Sequence, residues 1–387
     1  MEFLFRRCNF YAYCLFSLVN TVVYCFPAGW IWSTNGFLRS LGVVDIAGSG
    51  AVHLVGGSSA FVAAKMIGPR LGRWDIPGDP PMGSPANAVI GLFMLWWGWL
   101  AFNAGSTFGI SGRKWILAAK SVVTTLVSAS AGCIFAIFHS LYDTDGKIDI
   151  LMIINGILGA LVGVTAACAI GKFNSFHFDE NSHKNSETPF NGNFLSFFVV
   201  TTVESVFIGF VGAWLANITA KLLIYLKVDD AVGATCVHGF GGLWGMIVVG
   251  LFGQKDELEG FSHYDGLFHG GGFYLLGVQL LASLCCMVWA SILTFILIWG
   301  IDKIIPFRLT EHEELLGADY TEHNIHHPRV GVTRAVSVLK RHDDNVDLDL
   351  IPVGKNQGHM DYLERNFGDE LFERLDAIRR NGTLSPE

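Results

Sequence analysis

The chain runs to 387 residues, 51% of them hydrophobic and only 16% charged, with a mean hydropathy of +0.43. Soluble domains carry about a quarter charged residues, so most of this chain belongs in lipid rather than in a water-soluble core. The net charge of -8 comes from acidic residues gathered beyond Glu311, and no basic face accompanies them, which excludes a nucleic-acid partner.

In chain order, the opening MEFLFRRCNFYAYCLFSLVNTVVYCF sets a basic pair before an apolar stretch, in the manner of a signal peptide. The stretch is longer than an h-region and ends without a small-x-small cleavage signal, so it reads as a retained helix. Since roughly 20 apolar residues cross the hydrocarbon, the predicted spans are Tyr11 to Trp32, Asp45 to Met66, Ala86 to Ser106, Trp115 to Phe138, Ile150 to Ile170, Thr201 to Tyr225, Ala231 to Phe252 and Gly271 to Ile301. An even number of spans returns both termini to one side. Arg6, Arg7, Lys65, Arg70, Arg73, Lys221, Lys227, Lys303 and Arg308 fall on that side and predict it to be cytoplasmic, with Arg113 and Lys114 opposed. Cys25, Cys133, Cys168, Cys236, Cys285 and Cys286 lie in or beside apolar runs without C-x-x-C spacing, and read as buried thiols rather than disulfides or zinc ligands.

The spans are rich in Gly and Ala, as in GILGALVGVTAACAIG, which lets helix backbones approach closely where lipid offers no hydrophobic drive for association. KFNSFHFDENSHKNSETPFNGN, from Lys172 to Asn193, breaks the pattern and reads as a loop on the outer side, followed by FLSFFVV. The domain reading is a transmembrane domain over 7–304 with an atypical insertion at 172–200, then a soluble cytoplasmic tail over 305–387. Within the tail, DYLERNFGDELFERLDAIRR has the spacing of an amphipathic helix.

Chemistry concentrates in a repeat. DIAGSGAVHLVGG from Asp45 and DAVGATCVHGFGG from Asp230 place Asp, Gly and His at the same offsets and end in the same Gly-Gly. Asp45 starts its span on the outer side and Asp230 on the inner, as an inverted repeat requires, so His53 and His238 meet near the bilayer midplane. Either histidine alone could be a packing residue; the repeat favours a pair that shares a proton and orients a small polar solute. Paired axial haem ligands are the rival use, although haem proteins of this kind normally offer such pairs on several helices. No further Cys, Asp or Glu completes a metal shell, so neither a metal nor a cofactor is expected. Asp45 and Asp230 read as structural caps on orphan backbone N–H groups. Trp32 ends the first span at the outer mouth, and Trp96, Trp97, Trp99 and Phe102 precede Ser106 at the outer end of the third. Such rings either attract a small cation by their quadrupole or form an interfacial belt.

FPAGWIW, GVVDIAGSGAVHLVGG, LWWGWLAFNAGST, NGILGALVGVTAACA, VDDAVGATCVHGFGGLWG and RLTEHEELLGADYTEH, in this order, resemble the ammonium transporter family (Amt/Mep/Rh), and its Amt branch in particular. The resemblance covers about Arg7 to Asn324. It implies an all-α polytopic membrane protein: a helical bundle with an inverted repeat that carries ammonium, ammonia and methylammonium across the plasma membrane and performs no enzymatic reaction. By the same resemblance, Trp32 and Ser106 look like the outer recruitment site, Phe102 like a gate ring, Trp99 like a pore-lining ring, His53 with His238 like the twin-histidine pair, and Asp45 like the aspartate that organises the site. A homotrimer is implied, with LGADYTEH in the part of the tail that couples subunits. By the same resemblance the family has eleven spans and this chain matches the last eight; the expectation is that the first three are absent, and with them an outer phenylalanine lid, much of one wall of the pore and part of the trimer surface. Exposing polar pore groups to lipid is costly, and the expectation is an incomplete or mis-spliced product of an intact transporter gene. The alternatives are a non-transporting fragment, an ammonium sensor, an Rh-like ammonia or carbon dioxide channel, which would lack the Trp32 ring, and a haem-binding oxidoreductase.

Overall fold

The structure, a computed structural model, describes residues 7–74, 82, 84–112, 114–169, 193–255, 261–310 and 313–314, with backbone alone at 193–201. Among these residues every regular element is a helix, apart from an isolated β-bridge between Cys8 and Arg308. The helices are α1 (Phe10–Trp32), the short α2 (Phe37–Ser40), α3 (Val55–Ile67), α4 (Pro85–Gly105), α5 (Lys114–Asp143), α6 (Ile150–Thr165), α7 (Asn193–Tyr225), α8 (Gly241–Phe252) and α9 (Tyr274–Asp302). Two π-helical turns, Ser49–Leu54 and Thr235–Phe240, lead directly into α3 and α8.

Each predicted span has its helix, and seven of the helical stretches are long and apolar enough to cross a membrane. This is a multi-pass membrane protein. The exception in length is α6, whose 16 residues rise about 24 Å. It starts where Asp149 accepts Leu151 N–H at 2.8 Å and gives way to turn residues after Thr165, short of the predicted end at Ile170. α4 begins with Pro85 behind an N-cap Ser84 that accepts Asn87 N–H, a start that hydropathy alone places one residue late. The α7 helix begins at Asn193 and so takes in FLSFFVV, which the sequence reading left in the atypical segment. Residues 170–192 and 315–387, with the outward loop, LGADYTEH and the amphipathic stretch of the tail, lie outside the described residues. Of the six cysteines expected to be buried, Cys168, Cys236 and Cys286 are, Cys133 and Cys285 are half-buried, and Cys25 on α1 is exposed.

The chain divides into two compact units. One, residues 18–66 and 79–297, holds the helical bundle. Its α5, α6 and α7 close on one another through small residues: a Cβ at Gly159 would stand 2.6 Å from the Gly212 carbonyl oxygen. The other unit gathers residues 1–17, 67–78 and 298–387. There Arg308 bonds the carbonyls of Ile67 (3.0 Å) and Pro69 (2.8 Å) and the Glu314 carboxylate (2.8 Å), while Glu314 accepts Leu71 N–H at 2.8 Å. Leu309 N–H donates to the Arg7 carbonyl at 3.0 Å. The start of the chain, the α3–α4 connection and the exit of α9 are thus tied together.

Candidate functional site

The site lies within the bundle unit, where the two Asp-to-His segments cross. In the first, Asp45 Oδ1 accepts the N–H groups of Gly48 and Ser49, both at 2.8 Å, and Oδ2 those of Gly50 (2.9 Å) and Ala51 (3.0 Å). In the second, Asp230 Oδ1 accepts Ala234 N–H at 3.0 Å and Oδ2 accepts Thr235 N–H at 2.7 Å. Each carboxylate satisfies orphan donors at the head of a broken helix. The repeated Gly follows from the same turn: Gly48 and Gly233 have φ of +102° and +69°, open to glycine at little cost.

Just past these caps the π-helical turns present the imidazoles. His53 Nδ1 and His238 Nδ1 are 3.2 Å apart, and the rings lie within 15° of parallel with centroids 5.1 Å apart, meeting edge to edge as an in-plane N–H···N bond requires. One Nδ1 must carry the proton and the other accept it, so the two neutral rings hold opposite tautomers. One Nε2 is then an acceptor and the other a donor. His53 is 9% exposed, and its Nε2 is buried with no hydrogen-bond partner in the structure; His238 is half-buried. The backbones come close enough for this because glycine lies at the crossing. A Cβ on Gly57 would run into the Gly239 backbone, and one on Gly242 would stand 2.6 Å from the Ser49 carbonyl oxygen.

The Trp99 ring lies nearly parallel to that of His53, with centroids 5.0 Å apart at 16°. Phe102, one turn on along α4, is 6.0 Å from the His53 ring and 6.1 Å from Trp99. Four of the residues singled out in the sequence, His53, His238, Trp99 and Phe102, therefore form one contiguous array. Their supports were not singled out. Trp99 Nε1 donates to Thr165 Oγ1 at 2.9 Å; Ser49 Oγ donates to the Val162 carbonyl and accepts Ala166 N–H, both at 2.8 Å. A hydroxyl at the end of each small-residue run, GALVGVT and AGS, was the available signal.

The mouth residues are arranged differently. Trp32 Nε1 donates to the Asp45 carbonyl at 2.6 Å, which fixes the indole against the capped turn. It lines a cavity of about 190 Å³ with Arg39, Asp45, Phe108, Phe261 and His263 among its walls. Ser106 is not among the lining residues, and its hydroxyl donates to the Phe102 carbonyl at 2.8 Å; the cavity reaches its loop through Phe108 instead. Among the described residues no cluster of three or more His, Cys, Asp or Glu side chains is placed to hold a metal ion.

The description "Ammonium Transporter Family" belongs to the family model that matches residues 3–174 and 196–327. The putative ammonium transporter 3 of Caenorhabditis elegans is 33% identical over 99% of this chain and 55% of its own length. Ammonium transporter Amt2 of Archaeoglobus fulgidus is 34% identical over 82% of this chain and 64% of its own. Among solved structures, Candida albicans Mep2 superposes with a TM-score of 0.65 at 28% identity, covering 79% of this chain and 61% of that one. The chain spans less than two thirds of the length of each of these relatives. The matched family model extends over most of the chain, including both Asp-to-His segments, and the fold agrees with it: this chain belongs to the ammonium transporter family.

Proposed function

We propose that the protein passes ammonium or ammonia, with methylammonium as an analogue, across the plasma membrane. The observation that carries this reading is the His53–His238 pair, joined at 3.2 Å through Nδ1 in a chain of this family. A cation arrives at the mouth beside the Trp32 ring, whose quadrupole attracts it, with Ser106 as a hydrogen-bond acceptor on the same side. It gives up its proton to water at or before Phe102, because an unpaired charge is costly in a narrow apolar path and a neutral molecule is not. Ammonia then passes the imidazoles. Being both donor and acceptor, it is met by one Nε2 of each kind; the pair exchanges those roles when the Nδ1 proton crosses while ammonia relays the proton of the donor Nε2 to the acceptor Nε2, so that both rings stay neutral.

This reading includes several features of the whole molecule: a homotrimer, both termini in the cytoplasm, a transmembrane domain over 7–304 with an atypical insertion at 172–200, and a regulatory tail over 305–387. The test is saturable uptake of radiolabelled methylammonium by transport-deficient cells expressing this chain, with surface expression matched to a His53→Ala, His238→Ala double variant. Uptake is expected for the chain and lost in the variant. Equal uptake by the two would overturn the reading.

A further inference from the structure

The cavity at the mouth carries a charge for which recruitment of a cation has no use. Arg39, on α2, is exposed and shares the cavity with Trp32. Its Nη1 donates to the Trp32 backbone carbonyl at 2.7 Å, which ties the guanidinium to the end of α1 at the cavity wall. The one carboxylate among the lining residues, Asp45, is 4% exposed and turns both oxygens to four backbone N–H groups. Its charge is directed into the turn, whereas that of Arg39 faces the cavity. The remaining titratable lining group, His263, adds no negative charge.

We propose that Arg39 sets the cation affinity of the mouth: its guanidinium, pinned to the Trp32 carbonyl, holds the cavity at positive potential and weakens capture of every small cation there. The potential acts on the charged form alone and leaves the neutral path beyond Phe102 untouched, so it sets how much ammonium is needed for half-maximal transport without setting the maximal rate. It works against inorganic cations equally, which leaves the ring and the hydrogen-bonding groups to select among them. A unit charge about 6 Å from a bound cation in a water-like dielectric changes its occupancy about threefold. The effect on transport rests on the function proposed above; the potential itself does not.

The experiment uses the full chain in proteoliposomes at low ionic strength. Quenching of the Trp32 component of the fluorescence, taken by difference from Trp32→Phe, is measured with caesium, iodide and neutral acrylamide for the wild type, Arg39→Gln and Arg39→Lys. Arg39→Gln keeps a donor for the Trp32 carbonyl but removes the charge. It is expected to raise the caesium-to-iodide quenching ratio about threefold, with acrylamide unchanged, Arg39→Lys close to wild type, and the difference shrinking in 0.15 M salt. In uptake, the same variant is expected to lower the KM for methylammonium about threefold at an unchanged maximal rate. An unchanged caesium-to-iodide ratio overturns the inference. Absence of uptake by the wild type would overturn the transport reading alone, since the quenching ratio still decides the role of Arg39.

Discussion

The two Asp-to-His segments begin with the same sequence pattern and are anchored differently. The turn after Asp45 is tied on every side: four N–H groups to the carboxylate, Ser49 Oγ to two points on α6 and its following turn, and Trp32 Nε1 to the Asp45 carbonyl. At the turn after Asp230, bonds to Ala234 and Thr235 hold the head of the helix, and Asp230 and His238 are half-buried where Asp45 and His53 are buried. The first segment is a fixed socket and the second carries the more open ring. A repeat thus supplies the symmetry needed to bring two imidazoles together, while the neighbours of each copy decide which ring stays put.

The largest expected effect separates the two caps. Asp45→Ala strands four buried donors and should cost roughly 4 kcal/mol or more of stability, against about 2 kcal/mol for Asp230→Ala. Thermal unfolding in detergent reads the difference, and equal losses would erase the distinction between socket and open ring. Next come the glycines of the crossing. Gly57→Ala drives a Cβ into backbone and should cost about 3 kcal/mol. Gly239→Ala places its Cβ 3.6 Å from Gly57, an ordinary contact, and should be tolerated. If both unfold alike, the crossing is not built as described. The smallest effect sharpens the mouth: Trp32→Phe keeps a ring and loses the 2.6 Å bond to the Asp45 carbonyl, at about 1 kcal/mol. A loss several times larger would mean that this bond holds the whole turn.

Much of this architecture is legible in the sequence because lipid leaves few choices. Apolar length located the helices, and equal Asp-to-His spacing in oppositely directed spans led to the meeting of His53 and His238. What escaped was set by long-range contact. α6 yields to a turn after Thr165, where Ile46 N–H takes the Ala166 carbonyl and Ser49 the Ala166 N–H, a partnership 117 residues apart in the chain. Neither π-helical turn has a local signature; each follows from a carboxylate drawing in successive N–H groups ahead of a close helix crossing. Trp99 was legible as a ring to be set beside the histidines, but its lock on Thr165 joins α4 to α6 and has no periodicity to betray it. Arg39 escaped for another reason: a lone charge near a span end is ordinary until a cavity is seen to open beside it.

The central claim is that the paired imidazoles lie on the path of the transported molecule. Its most direct test is an ammonium gradient imposed on proteoliposomes containing the purified chain, with a dye reporting luminal pH. The account predicts luminal alkalinisation faster than in empty liposomes, returning to their rate in the His53→Ala, His238→Ala variant. Alkalinisation at the same enhanced rate in wild type and variant would contradict it.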